Sequence, residues 1–170
     1  MRFGFRLDYS ALVNFSGLQY VQVFSASAPT TVGGFSHVLD IALSVPTLGS
    51  PPHTLTFTAA RGSGGPSSTP VAFTQTSNVV RVEINVGANT AGNVRYWINH
   101  AFTDPPDGTI DDAGAGLDTA AFQGVIAATV GLGSQSGPFR SAQTGNALVF
   151  DQIESSDDVL FYDDFSSGAQ

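Results

Sequence analysis

The chain has 170 residues, of which 42% are hydrophobic and 12% charged, and a formal net charge of −8. That balance predicts a single domain over 1–170 with its own core rather than a disordered segment. The six basic residues are all arginine and lie scattered at Arg2, Arg6, Arg61, Arg81, Arg95 and Arg140. The basic stripe of a nucleic-acid binder is therefore missing, and no apolar run reaches the ~18 residues of a membrane-spanning helix. With neither Lys nor Cys in the chain, Schiff-base, P-loop, thiolate and cysteine–zinc chemistry and disulfides are all excluded.

The first element is visible at once. Met1, Phe3, Phe5 and Leu7 alternate with Arg2, Gly4 and Arg6, the period-two signature of a half-covered strand. A secretory signal would place an unbroken apolar stretch here. The expectation is a chain that begins inside a strand, as a mature or trimmed product or as a cytosolic protein with an unusual start. A second strand is expected over 18–25. Leu39, Ile41, Leu43 and Val45 continue the alternation, followed by Leu55, Phe57 and Ala59 between threonines. The stretch 61–70 is rich in Gly, Ser and Pro and predicts an exposed loop, with a strand over 70–75. Val80, Val82, Ile84 and Val86 alternate with Arg81, Glu83 and Asn85, and Val94, Tyr96 and Ile98 with Arg95, Trp97 and Asn99. Residues 111–122 hold at most one short helical turn. Strands follow over 124–132, 147–154 and 158–165, with a loop expected over 131–146. About ten strands with turn signals between them predict an all-β, antiparallel sandwich of the jelly-roll type.

Short motifs add a resemblance. Residues 79–86 (Val-Val-Arg-Val-Glu-Ile-Asn-Val) lead through a Gly/Asn turn into 93–99 (Asn-Val-Arg-Tyr-Trp-Ile-Asn). This hairpin resembles the central one of laminin-G-like, or concanavalin-like, jelly rolls of bacterial secreted proteins, with His100 where a Gly is usual. Val130-Gly131-Leu132-Gly133, Phe150-Asp151-Gln152-Ile153 and the opening Phe3-Gly4-Phe5-Arg6-Leu7-Asp8 resemble other strands of that family. The resemblance implies a jelly-roll fold and leaves function to the sites. The family's usual opening segment, of the form Asp-Asp-Phe-x-x-Gly, does not precede Met1; Asp163-Asp164-Phe165-Ser166-Ser167-Gly168 resembles it instead. The resemblance thus implies a sandwich short of its first strand and carrying a spare one over 157–170, with Val159, Leu160, Phe161, Tyr162 and Phe165 as anchors. That strand either returns to its own sheet or completes a neighbour's. The alternative is an ordinary edge strand with an acidic tail.

Two candidate sites stand out. Asp104, Asp107, Asp111, Asp112 and Asp118 cluster around Gly108. Calcium takes several hard oxygen ligands from such a loop, and the alternative is a solvated acidic loop. The pairs Asp157-Asp158 and Asp163-Asp164 suit the guarding of a sheet edge. Trp97, the sole tryptophan, shares its alternation face with Arg95 and Asn99. Exposed there it forms a glycan-stacking platform; covered, it belongs to the core. Catalysis finds little footing. Glu83 and Glu154 are the only glutamates and lack the paired-carboxylate pattern of glycosidases. His37, His53 and His100 show no metal spacing, and no Gly-x-Ser-x-Gly elbow exists. Asn14-Phe15-Ser16 matches a glycosylation acceptor. The expectation is a non-catalytic extracellular or cell-surface protein, either a structural subunit that self-assembles or a module for surface glycans, calcium-supported if the acidic loop binds the ion.

Overall fold

A strand with one apolar face is stable only when that face is covered by a second layer, and here two sheets cover each other. The computed structural model describes residues 1–12, 19–29, 35–44, 53–60, 67–87, 91–111, 117, 119 and 125–155. Among them are strands β1 (Arg2–Asp8), β2 (Tyr20–Pro29), β3 (Phe35–Ser44), β4 (His53–Ala59) and β5 (Ser67–Phe73). β6 (Ser77–Asn85), β7 (Asn93–Ile98), β8 (Gly108–Ile110), β9 (Ala127–Val130) and β10 (Val149–Ser155) follow, with helix α1 (Gly137–Ala142) before the last strand. One sheet has the order β10-β1-β6-β7-β8 and the other β5-β4-β3-β2-β9. Every pairing is antiparallel. The protein is an all-β sandwich, as the alternation predicts.

The inward residues are those the alternation selects. Phe3, Phe5 and Leu7 from β1 meet Val80, Val82 and Ile84 from β6 in one layer; Leu39, Ile41, Leu43, Leu55 and Phe57 form the other. The layers interlock through aromatic rings. Phe5 stacks on Phe24 at 5.7 Å between centroids, and Phe57 stacks on Tyr96 at 4.8 Å. Phe5, Phe24 and Phe57 are almost fully covered, each worth about 1.5–3 kcal/mol of transfer free energy.

Three expectations need correction. Residues 67–70 are not loop but the first half of β5, which is an edge strand among the described residues, the sheet position where proline is tolerated. The loop expected over 131–146 contains α1. Ser136 caps it, its Oγ accepting from the Phe139 N–H at 3.2 Å, with Pro138 in the first turn and Phe139 buried beneath. β8 lies inside the acidic segment, which was expected to be loop throughout. β10 pairs along one side of β1 while β6 holds the other, and the terminal strand expected over 158–165 lies outside the described residues. Of the helical turn expected in 111–122, residues 112–116, 118 and 120–122 lie outside the described residues; Leu117 makes a β-bridge to Gly92.

Candidate functional site

The outward face of the β10-β1-β6-β7-β8 sheet carries most of the charge chemistry. Its register aligns side chains in rows across the strands. In one row Arg2, Glu83 and Arg95 lie side by side. The Glu83 carboxylate accepts from Arg2 Nε at 2.6 Å and faces Arg95 Nη1 at 3.4 Å. Burial pushes the Glu83 carboxyl up, but hydrogen bonds from Arg2 and Asn85 and the charges of Arg2 and Arg95 outweigh it and hold the group below its usual range. In the next row Arg81 Nε donates to Glu154 Oε1 at 2.6 Å, across the intervening strand β1 at Gly4. In the third, Arg6 Nη2 pairs with the buried Asp151 carboxylate.

A β-bulge makes the last two rows possible. Gln152 and Ile153 together oppose Phe5, and Gln152 adopts φ 51°. An extra residue shifts the phase of a strand. Asp151 and Glu154, an odd number of positions apart, therefore reach the same face, while Phe150 and Ile153 pack toward the core.

The segment after β7 folds back over this face. Asn99 opens it with φ 63°, a left-handed conformation that Asn tolerates better than most residues. Its Oδ1 accepts from the Val79 N–H at 2.8 Å and its Nδ2 donates to Asn78 Oδ1 at 3.0 Å. Arg81 Nη1 donates to the His100 carbonyl at 2.7 Å. Phe102 lies edge-on to Trp97 at 5.1 Å, with the Arg2 and Arg81 guanidiniums 5.2 and 5.8 Å from its ring centre, within cation–π range.

The sequence-predicted sites map onto this segment unevenly. Trp97 is on the predicted face but only 3% exposed, and its Nε1 donates to the Asp104 carbonyl at 2.9 Å. Of the two alternatives for the indole, open platform or covered side chain, the covered one holds: Phe102 and the segment that carries it lie over the ring. Arg95 remains exposed, and Asn99 is committed to backbone and amide partners. Of the acidic cluster, Asp104 Oδ2 accepts from the Ala101 N–H at 2.9 Å. Asp107 accepts from the Ile98 N–H at 2.6 Å and faces His100 Nδ1 at 3.0 Å. Asp111 is half-buried at the end of β8. These carboxylates shape the turn, and no group of three or more metal-ligating side chains converges among the described residues. Asp112, Asp118, Asn14 and the 157–170 strand with Val159, Leu160, Phe161, Tyr162 and Phe165 lie outside the described residues.

The histidines have companions the sequence does not announce. His37 Nδ1 meets Asp40 at 2.9 Å. His53 Nδ1 lies 2.7 Å from the Tyr9 hydroxyl, which also reaches the Gln75 carbonyl at 2.7 Å. Tyr9 has one proton. If it goes to Gln75, His53 supplies the other through Nδ1–H. Burial pushes the Tyr9 hydroxyl far up and the His53 ring down.

Among the described residues the sheets end in four edge strands: β10, β8, β5 and β9. β8 has 3 residues, β9 has 4, and β5 carries Pro70. β10 has 7 residues and no proline, and its Val149 is 49% exposed. It is the described edge best able to take another strand, and 156–170 follow it directly in the sequence. No protein-family model, curated protein or solved structure matches this chain.

Proposed function

We propose that the chain is a non-catalytic structural subunit that assembles with copies of itself outside the cell, the segment beyond β10 of one copy pairing with the sheet edge of the next. The single observation that supports this reading is the contrast among the four edges. Short strands and edge prolines discourage pairing, and they guard three edges while β10 keeps its length. Its bulge breaks the edge's flatness and selects against indiscriminate partners. Main-chain hydrogen bonds would supply affinity, and the apolar side chains Val159, Phe161 and Phe165 the register. The lack of Lys and Cys leaves few reactive groups, which suits a durable material.

The test is deletion of 157–170, with particle mass read by light scattering and shape by electron microscopy. The full chain is expected to form polymers and the truncated chain to stay monomeric, with unchanged circular dichroism. A full chain that is strictly monomeric at high concentration defeats the proposal. So does a truncated chain that polymerises equally well.

A second reading, a glycan-binding or adhesion module, is supported by Arg2 and Arg95, whose side chains stay 45% and 47% exposed around Glu83. In it calcium supports the Asp104–Asp118 segment. A monomer whose melting temperature rises with calcium and with soluble glycans favours this reading over assembly.

A further inference from the structure

We infer that the cleft beside α1 is a binding site for a small monocarboxylate. The cleft has a volume of about 180 Å³ and lies between α1 and the segments that flank β1, β9 and β10. Its apolar lining is Leu12, Leu132, Phe139 and Leu148. Leu132 is 59% exposed, an apolar side chain open to solvent beside the polar groups of the cleft. Its polar lining includes Arg140, Gln143, Thr144 and Asn146.

Arg140 is the decisive residue. Arg2, Arg6, Arg81 and Arg95 each hold a carboxylate. Among the described residues, Arg140 is the one arginine whose guanidinium has neither an ion pair nor a hydrogen bond. In a chain with 14 acidic side chains and six basic ones, a cation left over at the rim of a cleft is a ready partner for an anion that comes from outside. Guanidinium and carboxylate match in shape and bond in pairs.

The groups around it are already oriented. Thr144 Oγ1 donates to the Arg140 carbonyl at 2.9 Å, which leaves its lone pairs to accept. The Gln143 amide is fixed between Gln19 and Asn146, each at 3.1 Å. Asn146 Nδ2 uses one of its two N–H groups on Gln143 and has a second.

Size and charge then narrow the ligand. The volume falls well below the roughly 300–1,000 Å³ of pockets for drug-sized ligands, so it fits one small unit. The net charge of −8 repels polyanions at long range, whereas a single carboxylate reaches Arg140 with little penalty. The carboxylate belongs either to a short aliphatic acid, whose chain lies on the leucines, or to a uronate sugar, whose hydroxyls meet Thr144 and Asn146.

The experiment titrates the full chain with hexanoate, galacturonate, glucose and hexylamine, followed by amide NMR shifts and calorimetry. Shifts at Gln143, Thr144 and Asn146 are expected with one or both carboxylates and not with hexylamine. Response to hexanoate alone assigns an aliphatic acid, and response to galacturonate alone a uronate. Response to both assigns the carboxylate itself. Arg140→Gln is expected to weaken binding at least about tenfold. Leu132→Asp, which leaves Arg140 in place and adds a repelling charge to the cleft lining, should also weaken it. The inference is overturned if neither carboxylate shifts these amides, if hexylamine shifts them equally, or if both folded variants bind as the parent does.

Discussion

Arg81 reaches Glu154 across a whole strand, Nε to Oε1 at 2.6 Å, and the strand between them presents Gly4 at the crossing. A Cβ at Gly4 would meet Glu154 Oε1 at 2.2 Å and Cγ at 2.7 Å. The glycine is there for space.

Gly4→Ala should therefore displace the Glu154 side chain and loosen its pairing with Arg81. Overpacking of this kind costs about 1–3 kcal/mol. Urea unfolding should show the midpoint falling with an unchanged slope. In a Glu154→Ala background the same substitution should cost less, because the crowded carboxylate is gone.

Trp97 gives an optical test of the segment that covers it. As the sole tryptophan, at 3% exposure, it should emit at short wavelength and resist iodide quenching. Phe102→Ala removes the ring at 5.1 Å and should make the indole quenchable. Trp97→Phe, which leaves the Asp104 carbonyl without its donor, should destabilise by about 1–3 kcal/mol.

His53 sets a pH dependence. Burial lowers its pKa below the ordinary 6.5, so the folded chain binds a proton less readily than the unfolded chain. Stability is then fully present above the unfolded pKa and declines as pH falls from there toward the folded pKa. The Nδ1–H bond to Tyr9 survives protonation, so the loss comes from covering a charge. Melting temperatures measured downward from pH 7.5 should fall through this window, and His53→Gln should flatten the step. An unchanged profile in the variant would exclude His53 as its source.

Ser136→Ala removes the acceptor for the Phe139 N–H and should cost about 0.5–2 kcal/mol. Ser136→Asp keeps an acceptor and should retain most of the stability. The same Oγ also accepts from the Tyr20 N–H, so thermal melts of the two variants measure the loss and the rescue of both bonds together.

The alternation of Phe3, Phe5 and Leu7, of Val80, Val82 and Ile84, and of Leu55 and Phe57 carried the core into view, because a period of two admits one covered face. It also placed Trp97, Arg95 and Asn99 on the outward side. What alternation does not carry is cover supplied from elsewhere. Trp97 is buried by a segment whose path depends on Asn99 at positive φ and on the carboxylates of Asp104 and Asp107. Those same carboxylates read as metal ligands in sequence, since a turn-shaping Asp and a ligating Asp favour the same loops. The bulge at Gln152 was equally invisible. Alternation puts Asp151 and Glu154 on opposite faces, and only the extra residue brings them together. α1 was legible in principle, through Ser136 and Pro138 at its start, but six residues are too few to show a helical period.

Arg6 and Asp151, joined in the folded sheet, stand 145 positions apart in the chain. At roughly 5–20 residues per second of synthesis, the first strand waits on the order of ten seconds for the last. Through that interval Phe3, Phe5 and Leu7 belong to a strand with an open side, the kind of segment that aggregates when neighbours are nascent chains of the same message. Arg2 and Arg6, four places apart, interrupt it with charge. The guanidiniums that later tie the sheet to Glu83 and Asp151 thus also put charge into that apolar segment before the sheet closes.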